Sequence, residues 1–234
     1  MYAEMQGNTH EIVSATVTNL DMARGIVTLE LSKGGVATLP RNEQVPGEEY
    51  YEGQHLQVYV VDVRETERGP RMMISRTHPG LVKRMFEMEV PEIYDGTVEI
   101  KAISREAGAR TKMAVWSKDE NVDPVGACIG PRGARVAKIV DELGGEKIDI
   151  VRWSEDPAAF ISEALSPAKV VDVELLEGEN RAARVTVPDH QLSLAIGNRG
   201  QNARLTARLT GYSIDIRPES GYYGEEPPVK KTQE

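Results

Sequence analysis

The chain has 234 residues, of which 40% are hydrophobic and 28% charged, with a formal net charge of −9. That length suits two or three small domains or one large one, and no apolar run approaches the ~20 residues that span a bilayer. The start lacks the basic stretch and apolar core of a secretion signal. One cysteine, Cys128, excludes an internal disulfide and lies in an apolar run, where a small buried hydrophobe is expected. A cytoplasmic, monomeric protein with no membrane partner is the natural expectation.

Residues 1–9 carry no period and read as a disordered start. From residue 10 to residue 77 the pattern is period-two. Val13, Ala15 and Val17 alternate with polar neighbours, as do Val27, Leu29 and Leu31, then Leu56, Val58 and Val60, then Met72 and Ile74. With the Val36 to Leu39 segment, these make five short half-buried strands separated by glycine-rich turns. A partly open five-stranded barrel of the OB type fits that count.

After His78-Pro79 the period changes. Leu81, Val82, Met85 and Phe86 form one helical stripe that must end before Pro91. Strands at 97–103 and 110–116 follow, and Asp123-Pro124 starts a short helix, with Asp as cap and Pro at the first position. A turn, Gly130-Pro131-Arg132-Gly133, leads into a longer helix carrying Val136, Ile139, Val140 and Leu143, which Gly144-Gly145 stops. A strand at 147–151 closes the segment.

The same order then returns. Asp156-Pro157 starts a helix, strands read at 170–176 and 184–187, and a second turn, Gly197-Asn198-Arg199-Gly200, separates the helices at 191–196 and 201–210. A last strand spans 213–217, and residues 218–234 read as a disordered tail. Ile-Asp-Ile follows in both copies, at 148–150 and 214–216. A duplicated turn in duplicated surroundings is a duplicated domain.

A Gly-x-x-Gly between two helices has a physical use. Glycine takes positive φ cheaply, and the helix that follows points unpaired N–H groups and its positive dipole end into the turn. That arrangement binds phosphate, and Arg132 or Arg199 adds a charge at the lip. A single such turn is commonly a plain connection, but two basic copies in one frame are not. Arg135 and Lys138, then Arg204 and Arg208, continue the positive charge along the helices. The acidity of the chain lies elsewhere, at Glu48, Glu49, Glu52, Glu155, Asp156, Glu225 and Glu226. Local field counts for more than the total, because salt screens beyond ~8 Å.

The strings around both turns resemble KH domains of the bacterial, type II order, α+β units whose Gly-x-x-Gly clamps single-stranded nucleic acid. Asp123 to Arg135 resembles the first KH domain of the NusA family of bacterial transcription factors, and Gln191 to Leu205 its second. Ser75 to Gly80 and Val90 to Gly96 are similar to that family's joints. The resemblance implies an OB barrel over residues 10–77 and two KH domains over 78–153 and 154–217. It implies nascent single-stranded RNA and RNA polymerase as partners, in pausing, termination and antitermination. The expected RNA contacts are Gly130, Pro131, Arg132, Gly133, Arg135, Lys138, Gly197, Asn198, Arg199, Gly200, Asn202, Arg204 and Arg208. The family's polymerase-docking domain has no counterpart before residue 10, so the RNA-binding part is expected here. The barrel strands offer Tyr59 but no Phe or Trp, so weak RNA binding is expected of them, since base stacking supplies ~1–3 kcal/mol per base.

Other classes fare worse. No phosphate loop of the Gly-x-x-x-x-Gly-Lys type is present, the four histidines are scattered, and one cysteine makes no zinc pattern. No enzyme, cofactor or metal is expected. An RNA-binding adaptor of translation or RNA decay is the alternative; a nuclease would need residues brought together only by folding.

Overall fold

Alternating apolar residues build the first layer of the molecule. The computed structural model describes residues 1–221 and divides into two units, Met1–Ile150 and a second starting at Val151. In the first, a short helix α1 (Tyr2–Gln6) precedes strands β1 (Ile12–Asp21), β2 (Ile26–Leu31), β3 (Val36–Leu39), β4 (His55–Thr66) and β5 (Gly69–Ser75). They pair antiparallel in the order β3-β2-β1-β4-β5, with Val17 opposite Leu29 and Val13 opposite Val58. β3 and β5 then come alongside each other, leaving a nearly closed OB-like barrel. Val13, Ala15, Val17, Val27, Leu29, Leu31, Val58, Val60, Met72 and Ile74 fill it. A register shift between Val60 and Asp62 turns the alternation over, so that Val63 joins the core instead of its neighbour. The expected disordered start is corrected: residues 2–6 are helical, and Tyr2 and Met5 pack against the barrel.

The barrel leads directly into α2 (Pro79–Glu89), followed by α3 (Pro91–Tyr94), β6 (Val98–Glu106), β7 (Arg110–Ser117), α4 (Pro124–Ile129), α5 (Ala134–Glu142) and β8 (Lys147–Arg152), with sheet order β6-β7-β8. Leu81, Met85, Phe86, Met113, Val115, Cys128, Ile139 and Leu143 form its core. Each such side chain stabilises the fold by about 1.5–3 kcal/mol through burial. Cys128 is fully buried, and burial pushes its thiol up to about 12, so it packs as a hydrophobe. Tyr59 projects from β4 away from the barrel interior into this second core and is only 6% exposed.

The joint between barrel and helix is a buried polar network. Arg76 donates to both carboxylate oxygens of Glu48, at 3.0 and 2.9 Å, and to the Gln57 carbonyl at 2.8 Å. Arg105 and Glu146 meet at 3.0 Å with both side chains fully buried, and Arg105 also donates to the carbonyls of Arg76 and His78. His78 caps α2: its Nδ1 accepts from the Gly80 N–H at 2.9 Å, while its ring stacks on Tyr59 with centroids 4.6 Å apart.

That cap requires a neutral imidazole. Burial, then the positive charges of His10 and Arg105, holds His78 below its ordinary 6.5, against an opposing pull from Glu43. The folded state therefore binds a proton less readily than the unfolded state. Its stabilising contribution is present above the unfolded value of about 6.5 and is lost as pH falls from there through the lower folded-state value. Thermal melts should show Tm declining between pH 7 and pH 5.5, and His78→Asn, which keeps a capping acceptor without titrating, should flatten that decline. An unchanged slope would remove His78 from the account. His78 is exposed, so the effect is small.

In the second unit, α6 (Pro157–Ala164), β9 (Asp172–Leu176), β10 (Ala182–Val187), α7 (Leu192–Ile196), α8 (Gln201–Thr210) and β11 (Ser213–Pro218) repeat the order. β10 is central, antiparallel to β9 and parallel to β11. Ile161, Leu165, Ala183, Val185, Val187, Ala195 and Ile216 make its core. Both units are α+β. The repeated Ile-Asp-Ile has one function in each: Asp149 meets Lys112 at 3.0 Å and Arg110 at 3.8 Å, and Asp215 meets Arg184 at 3.8 Å, so each last strand is tied to the central one by charge. The tail expectation is corrected over its first residues. Pro218 ends β11, the Glu219 N–H donates to the Val187 carbonyl, and the Ser220 N–H to Asp189. From residue 222 the tail lies outside the described residues.

Candidate nucleic-acid interface

The two turns have the same backbone. Gly130 stands at φ 75°, ψ 174° and Gly197 at φ 81°, ψ 171°. Arg132 and Arg199 follow at φ 55° and 54°, then Gly133 and Gly200 at φ 73° and 74°. Among the described residues three non-glycines have positive φ, and two are these arginines. An L-residue pays about 1–2 kcal/mol for the left-handed region, so a position held there twice is held by its surroundings.

The surroundings are visible at the first glycine of each turn. A Cβ on Gly130 would lie 2.9 Å from the Cβ of Arg135, and one on Gly197 would lie 2.6 Å from the backbone nitrogen of Asn202. These are the second residues of α5 and α8. Each reaches back over the turn: Arg135 donates to the Ala127 carbonyl at 2.7 Å, and Asn202 to the Ala195 and Leu165 carbonyls at 2.9 and 3.0 Å. They staple the end of the short helix to the start of the long one.

The expected ligand contacts stand in different surroundings. Asn202 is 1% exposed and cannot reach a ligand. Arg135 is spent on its carbonyl and on Glu92, at 2.9 Å. Lys138 is more accessible but bonds Glu89 at 2.7 Å, and that hydrogen bond raises its pKa. Arg204 donates to the Arg199 carbonyl at 3.0 Å and so braces the second turn from outside. Pro131, Arg132, Asn198, Arg199 and Arg208 are exposed. Arg132 and Arg199 have no side-chain hydrogen bond or ion pair among the described residues.

Two further features line the turns. α4 and α6 begin on the aspartate caps Asp123 and Asp156, whereas α5 and α8 begin on glycine with no side-chain cap and no acid in the first turn. The first N–H of each, on Ala134 and Gln201, donates to the Pro131 and Asn198 carbonyls, and the positive dipole end faces the turn with no acid against it. Beside them Ile129 and Ile196 are 38% and 37% exposed, and Leu194 is 43% exposed. The sequence reading did not single these out as surface groups, although an Ile directly before each first glycine was the available signal. The barrel's Tyr59, stacked between His78 and His10, has no face left for a base.

Among the described residues no group of three or more His, Cys, Asp or Glu could hold a metal, and no helix is long and apolar enough to cross a membrane. The model for the NusA-like first KH domain matches residues 76–153, and that for the NusA-like second KH domain residues 157–223. The transcription termination/antitermination protein NusA of Halalkalibacterium halodurans is 54% identical over 220 residues, 94% of this chain and 56% of the relative. The chain belongs to the NusA family. The proteins of that name from Bacillus subtilis and Thermus thermophilus are 53% and 49% identical, over 94% and 92% of this chain and 58% and 54% of their own lengths. The chain therefore spans somewhat more than half of the curated relatives it matches. The solved structure titled "Crystal structure of APE1850" aligns over 58% of this chain and 95% of its own at 20% identity and a TM-score of 0.44.

Proposed function

We propose that the chain binds single-stranded RNA through its two Gly-x-x-Gly turns and acts on transcribing RNA polymerase in termination and antitermination. The observation that carries this is the paired backbone: two turns hold an exposed arginine at positive φ, with no side-chain partner among the described residues, before an uncapped helix start. Phosphate fits the N–H groups and the arginine, and bases fit the exposed Ile129 or Ile196 beside them. Gly130, Pro131, Arg132 and Gly133 form one clamp; Gly197, Asn198, Arg199 and Gly200, with Arg208 further along α8, form the other. The relatives' shared name supports the transcriptional role.

Fluorescence anisotropy with an unstructured RNA and a matched duplex tests the binding. The single strand should bind more tightly, with log affinity falling by about 0.7 per neutralised phosphate for each tenfold rise in salt. Equal affinity for duplex, or no dependence on salt, would overturn the clamp reading. In a single-round transcription reaction the chain should change the fraction of transcripts ending at a terminator. An unchanged fraction with intact RNA binding would overturn the transcriptional role alone.

A further inference from the structure

An arginine held at positive φ needs something behind it that keeps the turn closed. Within the second turn the Gly200 N–H donates to the Gly197 carbonyl at 3.1 Å, and the Gln201 N–H donates to the Asn198 carbonyl. These bonds shape the turn but do not fasten it to the rest of the domain. The side chain of Asn202 does that. Its Nδ2 donates to the Ala195 carbonyl, two residues before Gly197, and to the Leu165 carbonyl at the end of α6. Asn202, Ala195 and Leu165 are all buried, so the turn is fastened to the core and not to another surface group. One helical turn further along α8, the buried Thr206 hydroxyl donates to the Ala164 carbonyl at 3.1 Å, which fixes α8 against α6 by a second bond. The first turn is closed from the same position, by Arg135 on the Ala127 carbonyl.

We infer that Asn202 is the positioning residue of the second clamp: it holds Arg199 in the left-handed conformation and so sets the affinity for RNA without touching it. This rests on the clamp reading above and extends it to a residue behind the turn. The physical reason is preorganisation. A left-handed arginine is unfavourable on its own, so a turn released from Asn202 relaxes, and each phosphate must then reclose it at the expense of affinity. Asn202 Oδ1 has no hydrogen-bond partner among the described residues, so what the side chain contributes beyond its bulk comes through Nδ2.

The test is Asn202→Leu, which keeps the bulk and removes both donations, beside Asn202→Ser, which keeps one donor. Single-stranded RNA is titrated into the full chain, and amide hydrogen exchange is followed without RNA at Gly200, Gln201 and Val185 in the central strand. Affinity of Asn202→Leu should fall on the order of tenfold through lost preorganisation. Exchange at Gly200 and Gln201 should quicken on the order of tenfold beyond any change at Val185, because the turn opens locally. Asn202→Ser should lie between Asn202→Leu and the parent in both measurements. The affinity loss should vanish when Asn198→Asp and Arg199→Asp are already present, because it acts through the second turn. Folded Asn202→Leu with parental affinity would overturn the inference, as would exchange that quickens equally at all three amides, the sign of a merely structural loss. If Asn202→Leu does not fold, Asn202→Ser is held to the same criteria. Failure of the unsubstituted chain to bind RNA with salt dependence would instead overturn the clamp reading, while the exchange rates still decide whether Asn202 closes the turn.

Discussion

Aspartate at positions 131, 132, 198 and 199 together should reduce affinity for single-stranded RNA on the order of a hundredfold or more while leaving the fold intact. Removing Arg132 and Arg199 deletes one phosphate contact in each clamp, worth on the order of fourfold apiece at ~0.15 M salt. The four new carboxylates then face the phosphates they replaced, and repulsion supplies the remainder. The fold survives because all four positions are exposed and make no side-chain contacts with the core. Asp also tolerates the left-handed conformation at 132 and 199 better than most residues, so unfolding midpoints should stay within about 0.5 kcal/mol of the parent. Anisotropy and urea denaturation on the same preparations separate the two effects. Folded protein that still binds with parental affinity would remove the turns from the interface.

The elements of this fold were legible because each has a local cause. Period-two alternation gave the barrel strands, and the Asp-Pro pairs gave the starts of α4 and α6, where the aspartates do accept from the next N–H. The turns were legible because glycine at positive φ leaves its mark in the sequence. What the sequence did not show was the surroundings of the side chains beyond the turn. Arg135 was expected at the ligand because it continues the positive charge of the turn along the helix, and Asn202 because it stands in the string that resembles the family's second KH domain. The turn bends each helix back so sharply that its second residue lands on the carbonyls of the helix before it. A hydrogen-bonding side chain at the same place in both copies was the one available hint. Glu89 and Glu92 gave none, since their partners lie across the domain and no local pattern records such a pairing. The sequence likewise marked residues 75–80 as a joint without showing what holds it.

What holds it is Glu146, and Glu146→Ala should cost about 3–5 kcal/mol, enough to unfold a domain of ordinary stability. The carboxylate accepts from Arg105 at 3.0 Å on each oxygen, from the Gly108 N–H at 2.7 Å and from the Thr111 hydroxyl at 2.7 Å, and Glu146, Arg105 and Thr111 are all buried. Alanine would leave the Arg105 guanidinium buried without a counter-charge and strand two more donors. The damage would pass to the joint, because Arg105 also donates to the carbonyls of Arg76 and His78, which lead from the barrel into α2. The burial cost of the pair sets a second expectation. Replacing both partners with methionine, which removes the charges and fills the space, should recover most of the loss, as buried ion pairs often do no better than packed apolar groups. Urea unfolding of the single and double variants distinguishes a charge left unpaired from a cavity. If Arg105→Met with Glu146→Met is as unstable as Glu146→Ala, the hydrogen bonds to Arg76, His78, Gly108 and Thr111, rather than the charge, are what hold the barrel to the first KH domain.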